Sequence, residues 1–118
     1  MRIVNLNIAG YIPYRDTGIS RLDVTFTEDI QIICGSNGSA KTTTMRQLSP
    51  FPSSRSMFEK NGSKSLTIEK DGIYYKLDSD YSKASSPHSF YEGDNEENLN
   101  IGQTTDVQKE LIQEHLGI

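Results

Sequence analysis

The chain has 118 residues, of which 34% are hydrophobic, and its 12 basic and 16 acidic residues give a formal net charge of −4. This length suits one domain, and the negative charge provides no global attraction to nucleic acid or anionic lipid, so any DNA contact would have to be local. The single cysteine, Cys34, excludes an internal disulfide, and no apolar run reaches the roughly 18 residues of a membrane span, so we expect a soluble cytoplasmic protein with no membrane partner.

The first part of the chain predicts strands, a glycine-rich turn and a short helix. "RIVNLNI" (residues 2–8) alternates apolar and polar residues with the period of a half-buried strand, and "RLDVTFT" (21–27) repeats this pattern after a loop. "DIQIICG" (29–35) is almost continuously apolar, which is typical of a buried strand. "KTTTMRQL" (41–48) predicts a short helix that stops before Pro50.

The second part predicts an antiparallel meander. "KSLTIEKDGIYYKLDS" (64–79) alternates apolar and polar residues on both sides of Asp71 and Gly72, a pair that supplies the positive φ angles of a tight hairpin turn. A second, shorter hairpin is predicted about Gly93 and Asp94.

The C-terminal residues predict an amphipathic helix over 105–117. Thr105 and Gln108 have the spacing of a capping box at its start, and Gly117 ends it. We interpret His115 as a cation near the negative end of the helix dipole.

The stretch "GSNGSAKTT" (35–43) has the spacing of a phosphate-binding loop. Gly35 and Gly38 permit backbone angles that side chains resist, Lys41 supplies a cation for the outer phosphates, and Thr42 offers a hydroxyl to magnesium. An apolar strand before the loop and a helix after it are the context that this motif requires. The alternative is a flexible turn that happens to carry a lysine.

Four nearby residues have two interpretations or an auxiliary role. Ala40 occupies a position where glycine is expected, so it either weakens binding or, if the backbone there is helical, costs little. Thr43 adds a hydroxyl that suits the α-phosphate. Arg15 contacts the nucleotide or DNA, or is simply solvated, and Tyr14 stacks on adenine or is likewise solvated.

The order of these elements resembles the start of the ATPase heads of the structural-maintenance-of-chromosomes (SMC) superfamily. The resemblance is to the ABC-type, SbcC-like ATPases of DNA-break repair, of cellular or phage origin, whose loop reads Gly-x-Asn-Gly-Ser-Gly-Lys-Ser/Thr. The matching residues are Gly35, Asn37, Gly38, Ser39, Lys41 and Thr42. Ala40 departs from the family pattern.

The resemblance implies an α/β fold class: an ABC-type P-loop NTPase head lobe with a mixed and antiparallel sheet, a phosphate-loop helix and a C-terminal amphipathic helix. It implies one N-terminal ATPase lobe over residues 1–118, with strands, loop and helix in 1–48, a meander in 49–104 and a helix in 105–117. ATP and Mg²⁺ are the implied cofactors, with Thr42 as the metal-binding residue. The implied cofactor-binding residues are Gly35, Asn37, Gly38, Ser39, Ala40, Lys41, Thr42, Thr43 and Arg15.

The implied partners are the C-terminal half of the same head, a second identical head, a nuclease subunit and DNA. The sequence contains no second acidic motif and no signature motif of this family, so the chain alone would bind ATP without appreciable turnover. The alternative function is a stand-alone degenerate head that acts as a protein-interaction module or inhibitor. A small kinase or GTPase is disfavoured because no guanine-reading Asn-Lys-x-Asp follows the loop.

Two further groups of residues have functional and structural interpretations. Arg55, Lys60, Lys64 and Lys83 would form a local basic surface for DNA, or are separately solvated. His88 stands too far from the other histidine in sequence to suggest a metal pair, so we predict a structural role for it.

Overall fold

Five strands and one helix form the regular structure of the part of the chain described below. The computed structural model describes residues 2–12, 21–25, 49–52, 55–83 and 87–117. The elements are β1 (Arg2–Tyr11), β2 (Arg21–Thr25), β3 (Phe58–Lys70), β4 (Ile73–Asp80), β5 (His88–Glu92) and α1 (Thr105–Leu116). A 3₁₀ turn, Arg55–Met57, precedes β3. No helix among the described residues is long and apolar enough to cross a membrane.

The strands form one sheet in the order β2-β1-β3-β4-β5, and every neighbouring pair is antiparallel. The β3–β4 connection confirms the predicted hairpin: Asp71 and Gly72 have φ angles of 53° and 81°, as a two-residue turn with matching twist requires.

The fold class predicted from the resemblance, an α/β P-loop head lobe with a mixed sheet and a phosphate-loop helix, is wrong. The described residues form a small antiparallel five-stranded sheet with one C-terminal helix. A parallel pair needs a long crossover, whereas the two-residue turn after β3 forces an antiparallel return. The strand predicted over 29–35 and the helix predicted over 41–48 lie outside the described residues.

One face of the sheet is buried beneath α1. The register aligns Leu6 with Leu66, Leu66 with Leu77, and Leu77 with Phe90, so these side chains form one continuous row. The helix contributes two apolar side chains to the same cluster. The buried members of this main cluster are Leu6, Leu66, Ile68, Tyr75, Leu77, Phe90, Ile112 and Leu116.

The next row on the buried face is mostly polar. Ile8 pairs with Lys64, Lys64 with Ser79, and Ser79 with His88. We call Lys64, Ser79 and His88 the polar band; all three are buried. Beyond the polar band lies a smaller aromatic cluster of Ile8, Tyr11, Phe58 and Tyr81.

The aromatic cluster depends on a close approach of β1 to β3. The pairing shifts between Ala9 and Tyr11, where Gly10 has a φ angle of 63°. A Cβ atom on Gly10 would lie 2.8 Å from the Cα atom of Gly62. Only glycine avoids both the steric conflict and the strained backbone at this position. The bulge brings the Tyr11 ring within 5.1 Å of the Phe58 ring.

The predicted helix is present, but its N-cap is one residue earlier than the sequence suggested. The side chain of Thr104 accepts a hydrogen bond from the backbone N–H of Val107, so Thr104 is the N-cap. Gln108 is buried and takes no part in a capping box with Thr105. Gly117 has a φ angle of 68° and donates its backbone N–H to the carbonyl of Gln113, as predicted for the end of the helix.

The second predicted hairpin forms only its turn. Gly93 has a φ angle of 61°, but residues 95–104 form no strand. They cover the outer edge of β5: the backbone N–H of Leu99 donates to the carbonyl of Phe90 at 2.9 Å. The side-chain oxygen of Asn98 accepts from the N–H of Phe90, also at 2.9 Å.

Candidate functional site

The predicted nucleotide-binding residues lie outside the residues that the structure describes. They are Gly35, Asn37, Gly38, Ser39, Ala40, Lys41, Thr42, Thr43 and Arg15, and Tyr14 and Cys34 lie outside as well. The described chain ends at Thr25 in β2 and resumes at Ser49. The structure therefore shows the two points on the sheet where the segment bearing the predicted loop begins and ends.

The first point is held on the open, polar face of the sheet. Thr25 pairs with Asn5 of β1, and the Asn5 side-chain amide donates to the Thr25 hydroxyl at 3.1 Å. The same amide donates to Asp23 at 3.1 Å. The end of β2 is thereby fixed by side-chain bonds as well as by strand pairing.

The second point is held on the buried face. The Lys64 ammonium donates to the main-chain carbonyl oxygen of Ser49 at 3.0 Å. The Ser49 hydroxyl accepts from the backbone N–H of Phe51 at 3.3 Å, and the Phe51 side chain packs against the main cluster. One hydrogen bond to a cation and one aromatic contact therefore seat the returning chain on the sheet.

Lys64 has an unusual environment for a lysine. It is only 7% exposed, in the centre of β3. Burial lowers the pKa of Lys64 to about 8, because removing an ammonium group from water disfavours its charged form. This burial also removes Lys64 from the basic surface suggested by the sequence, although Lys60 and Lys83 are exposed.

His88 continues the polar band towards α1. Its Nδ1 lies 2.7 Å from the Ser79 hydroxyl, and its Nε2 lies 3.2 Å from the Thr105 hydroxyl. A serine beside a histidine is a pattern seen at nucleophilic sites, but here both side chains are buried. Their contacts join β4, β5 and the start of α1.

A second buried polar group, which the sequence analysis did not predict, joins α1 to the loop after β5. The Gln108 amide donates to the carbonyl of Ser89 at 2.9 Å, and the Asn100 amide donates to Gln108 Oε1 and to the carbonyl of Thr104, both at 3.0 Å. Gln108 stands four residues before Ile112 on the buried stripe of α1. This helical spacing is the sequence feature that indicates its burial. The Asn100 side-chain oxygen is buried without a hydrogen-bond partner among the described residues.

The open face carries a polar cavity of about 360 Å³. It contains charges of both signs: Lys76 lies 3.5 Å from the Asp78 carboxylate, which also accepts a hydrogen bond from Ser65 at 2.6 Å. The lining residues are Asn7, Arg21, Ser63, Lys64, Ser65, Lys76, Asp78, Ser79 and Asp80. A lining with charges of both signs selects no single class of ligand.

His115 lies in the last turn of α1, where a cation is favourable. Its Nδ1 is 2.9 Å from a carboxylate oxygen of Glu92, and its ring lies 5.3 Å from the ring of Phe90. In the parts of the chain that the structure describes, no group of three or more acidic, histidine or cysteine side chains is arranged to hold a metal ion.

Comparison with known proteins adds no assignment. The chain matches no protein-family model, and no curated protein is significantly similar to it.

Proposed function

We propose that this chain binds ATP with Mg²⁺ through residues 35–43 and serves as the nucleotide-binding part of an SMC-like ATPase subunit that works with a nuclease in DNA break repair or recombination. The observation that carries this proposal is the sequence of the loop, in which Gly35 is followed at the required spacing by Lys41 and Thr42. Additional support comes from the anchoring of the loop segment at both ends, Thr25 and Ser49.

Each loop residue has a distinct role in this function. Residues 37–41 would supply backbone N–H groups to the phosphates, and Lys41 would neutralise the β- and γ-phosphates. Thr42 offers its hydroxyl to Mg²⁺, and Thr43 contacts the α-phosphate. Turnover also needs a second acidic group and a positioned water, which a partner or a further segment would supply.

The test is calorimetric titration of Mg-ATP into the wild-type chain, Lys41→Ala and Ala40→Gly. We expect the wild type to bind and Lys41→Ala to bind at least about tenfold more weakly, because a charge-assisted contact to phosphate is lost. Lys60→Ala is the matched control, since Lys60 is an exposed lysine on β3. It should bind like the wild type, and removing Mg²⁺ with a chelator should weaken binding to the wild type.

The result for Ala40→Gly separates two states of the loop. Binding by the wild type means that the alanine is tolerated, whereas binding only after Ala40→Gly means that the loop keeps the architecture without the activity. Unchanged affinity in Lys41→Ala would contradict the proposal.

The second candidate is a protein-interaction module. The tip of the β3–β4 hairpin favours it, because Ile73 and Tyr74 are exposed there, by 40% and 49%. Absence of Mg-ATP binding in both the wild type and Ala40→Gly would favour this candidate over nucleotide binding.

A further inference from the structure

Strand β3 carries two lysines on its buried face that make the same kind of bond. Lys64 donates to the carbonyl of Ser49 and Lys70 to the carbonyl of Leu116, each at 3.0 Å. Leu116 is the last residue of α1, so Lys70 places a cation at the negative end of a helix. Lys64 makes its bond to the first described residue after the segment that carries the predicted loop.

The two lysines differ in how deeply they are buried, and therefore in the free energy that their burial costs. Lys70 is partly exposed, whereas Lys64 is almost fully buried between Ile8 and Ser79. A buried ammonium group is unfavourable unless it is hydrogen-bonded, and an apolar side chain would fill this place at lower cost. The hydrogen bond from Lys64 to the Ser49 carbonyl offsets part of this cost.

Ser49 is well placed to transmit this constraint. It comes eight residues after Lys41 in sequence, at the end of the segment that carries the predicted loop. Phe51, two residues further on, is seated on the main cluster. The carbonyl held by Lys64 is thus the first described point at which the chain leaving the loop meets the sheet.

We infer that Lys64 is a positioning residue for the phosphate-binding loop: by holding the Ser49 carbonyl, it fixes where the loop segment returns to the sheet. This inference rests on the proposed ATP binding. Lys64 touches no phosphate and acts only through the main chain of Ser49. Loss of Lys64 should therefore lower the affinity of the loop for ATP and for ADP by a similar factor.

The experiment compares Mg-ATP and Mg-ADP affinities of the wild type, Lys64→Met, Lys64→Arg and Lys70→Met, each measured well below its unfolding midpoint. Lys64→Met should bind both nucleotides about tenfold more weakly, as expected for the loss of a hydrogen bond from a charged donor that orders the site. Lys64→Arg keeps a cationic donor and should recover most of the affinity. Lys70→Met loses the same kind of bond at α1 and should change stability without changing affinity.

The outcomes separate this inference from the proposed function. Wild-type affinity in Lys64→Met, or an equal loss in Lys64→Met and Lys70→Met, would show that Lys64 is only structural. An equal loss in the Met and Arg variants of Lys64 would show that the charged donor is not what matters. If the wild type binds, Lys41→Ala does not and Lys64→Met binds normally, this inference alone fails; absence of binding by the wild type overturns both.

Discussion

The two apolar clusters on the buried face are built in different ways. The main cluster joins regularly alternating strand residues to two side chains of α1, and it includes Phe90, which is fully buried. The aromatic cluster is smaller and depends on the bulge at Gly10, which lets Phe58 stack on Tyr81 with ring centroids 4.3 Å apart. The polar band lies between them. Periodic pattern thus builds one cluster, and local backbone irregularity builds the other.

The largest effect should come from breaking the main cluster. Phe90→Ala should lower the free energy of unfolding by about 3–5 kcal/mol, because it removes a fully buried ring and leaves a cavity in the main cluster. Urea denaturation followed by circular dichroism measures this loss. A loss below about 1 kcal/mol would mean that α1 does not pack on this side chain as described.

Lys64→Met tests the burial of the polar band between the two clusters, because burial of Lys64 makes stability depend on pH. Below about pH 8 Lys64 is charged in both folded and unfolded chains, and the folded chain bears the cost of burial. Between about 8 and the ordinary pKa of 10.5, the unfolded chain binds more protons than the folded one, so stability rises with pH. The pKa difference corresponds to a rise of roughly 3 kcal/mol at most.

The measurement is the difference between the pH–stability curves of the wild type and Lys64→Met. Contributions that the two proteins share cancel in this difference. The two curves should converge as pH rises from 8 to 10.5, the variant being relatively more stable at the lower pH. Parallel curves would contradict the buried position of Lys64.

Gly10→Ala tests the aromatic cluster. The added Cβ meets the Gly62 backbone and the backbone is held at positive φ, so we expect a loss of about 2 kcal/mol or more. Gly72→Ala is the matched control, because Gly72 also has positive φ but a Cβ there meets nothing within 4 Å. The control isolates backbone strain, about 1 kcal/mol. Equal losses in thermal denaturation would show that the approach of β1 to β3 is unimportant.

The smallest effect concerns the helix that covers only the main cluster. Thr104→Ala should cost about 1 kcal/mol, because the backbone N–H of Val107 loses its cap. Thr104→Ser keeps the hydroxyl and should remain close to the wild type in chemical denaturation. If Thr104→Ala left the free energy of unfolding unchanged, the N-cap would not contribute to the stability of α1.

Elements with a strong local signal were predictable from the sequence. The alternation in β1, the Asp71-Gly72 turn and the apolar stripe of α1 each express a period that local geometry enforces, and the structure confirms all three. The N-cap was misplaced by one residue because Thr104 and Thr105 both carry a capping hydroxyl.

Lys64 and Gln108 are buried residues whose burial the sequence did not predict. Both are in phase with buried neighbours, Leu66 on β3 and Ile112 on α1, but their polar character favours exposure. Burial became possible only through partners distant in sequence, such as Ser49 and Ser89. The expected mixed sheet came from a family resemblance, which local periodicity does not test. The phosphate-binding loop stays a prediction of the sequence.

The covering of β5 has a consequence for association between molecules. An edge strand normally offers unpaired N–H and C=O groups that can template another strand, in aggregates or fibrils. Here the N–H of His88 donates to the carbonyl of Gln103, and the carbonyl of Glu92 accepts from Asn95. Together with the two bonds at Phe90, these contacts occupy four outward groups of β5 with the protein's own chain, so a foreign strand would first have to displace residues 95–103.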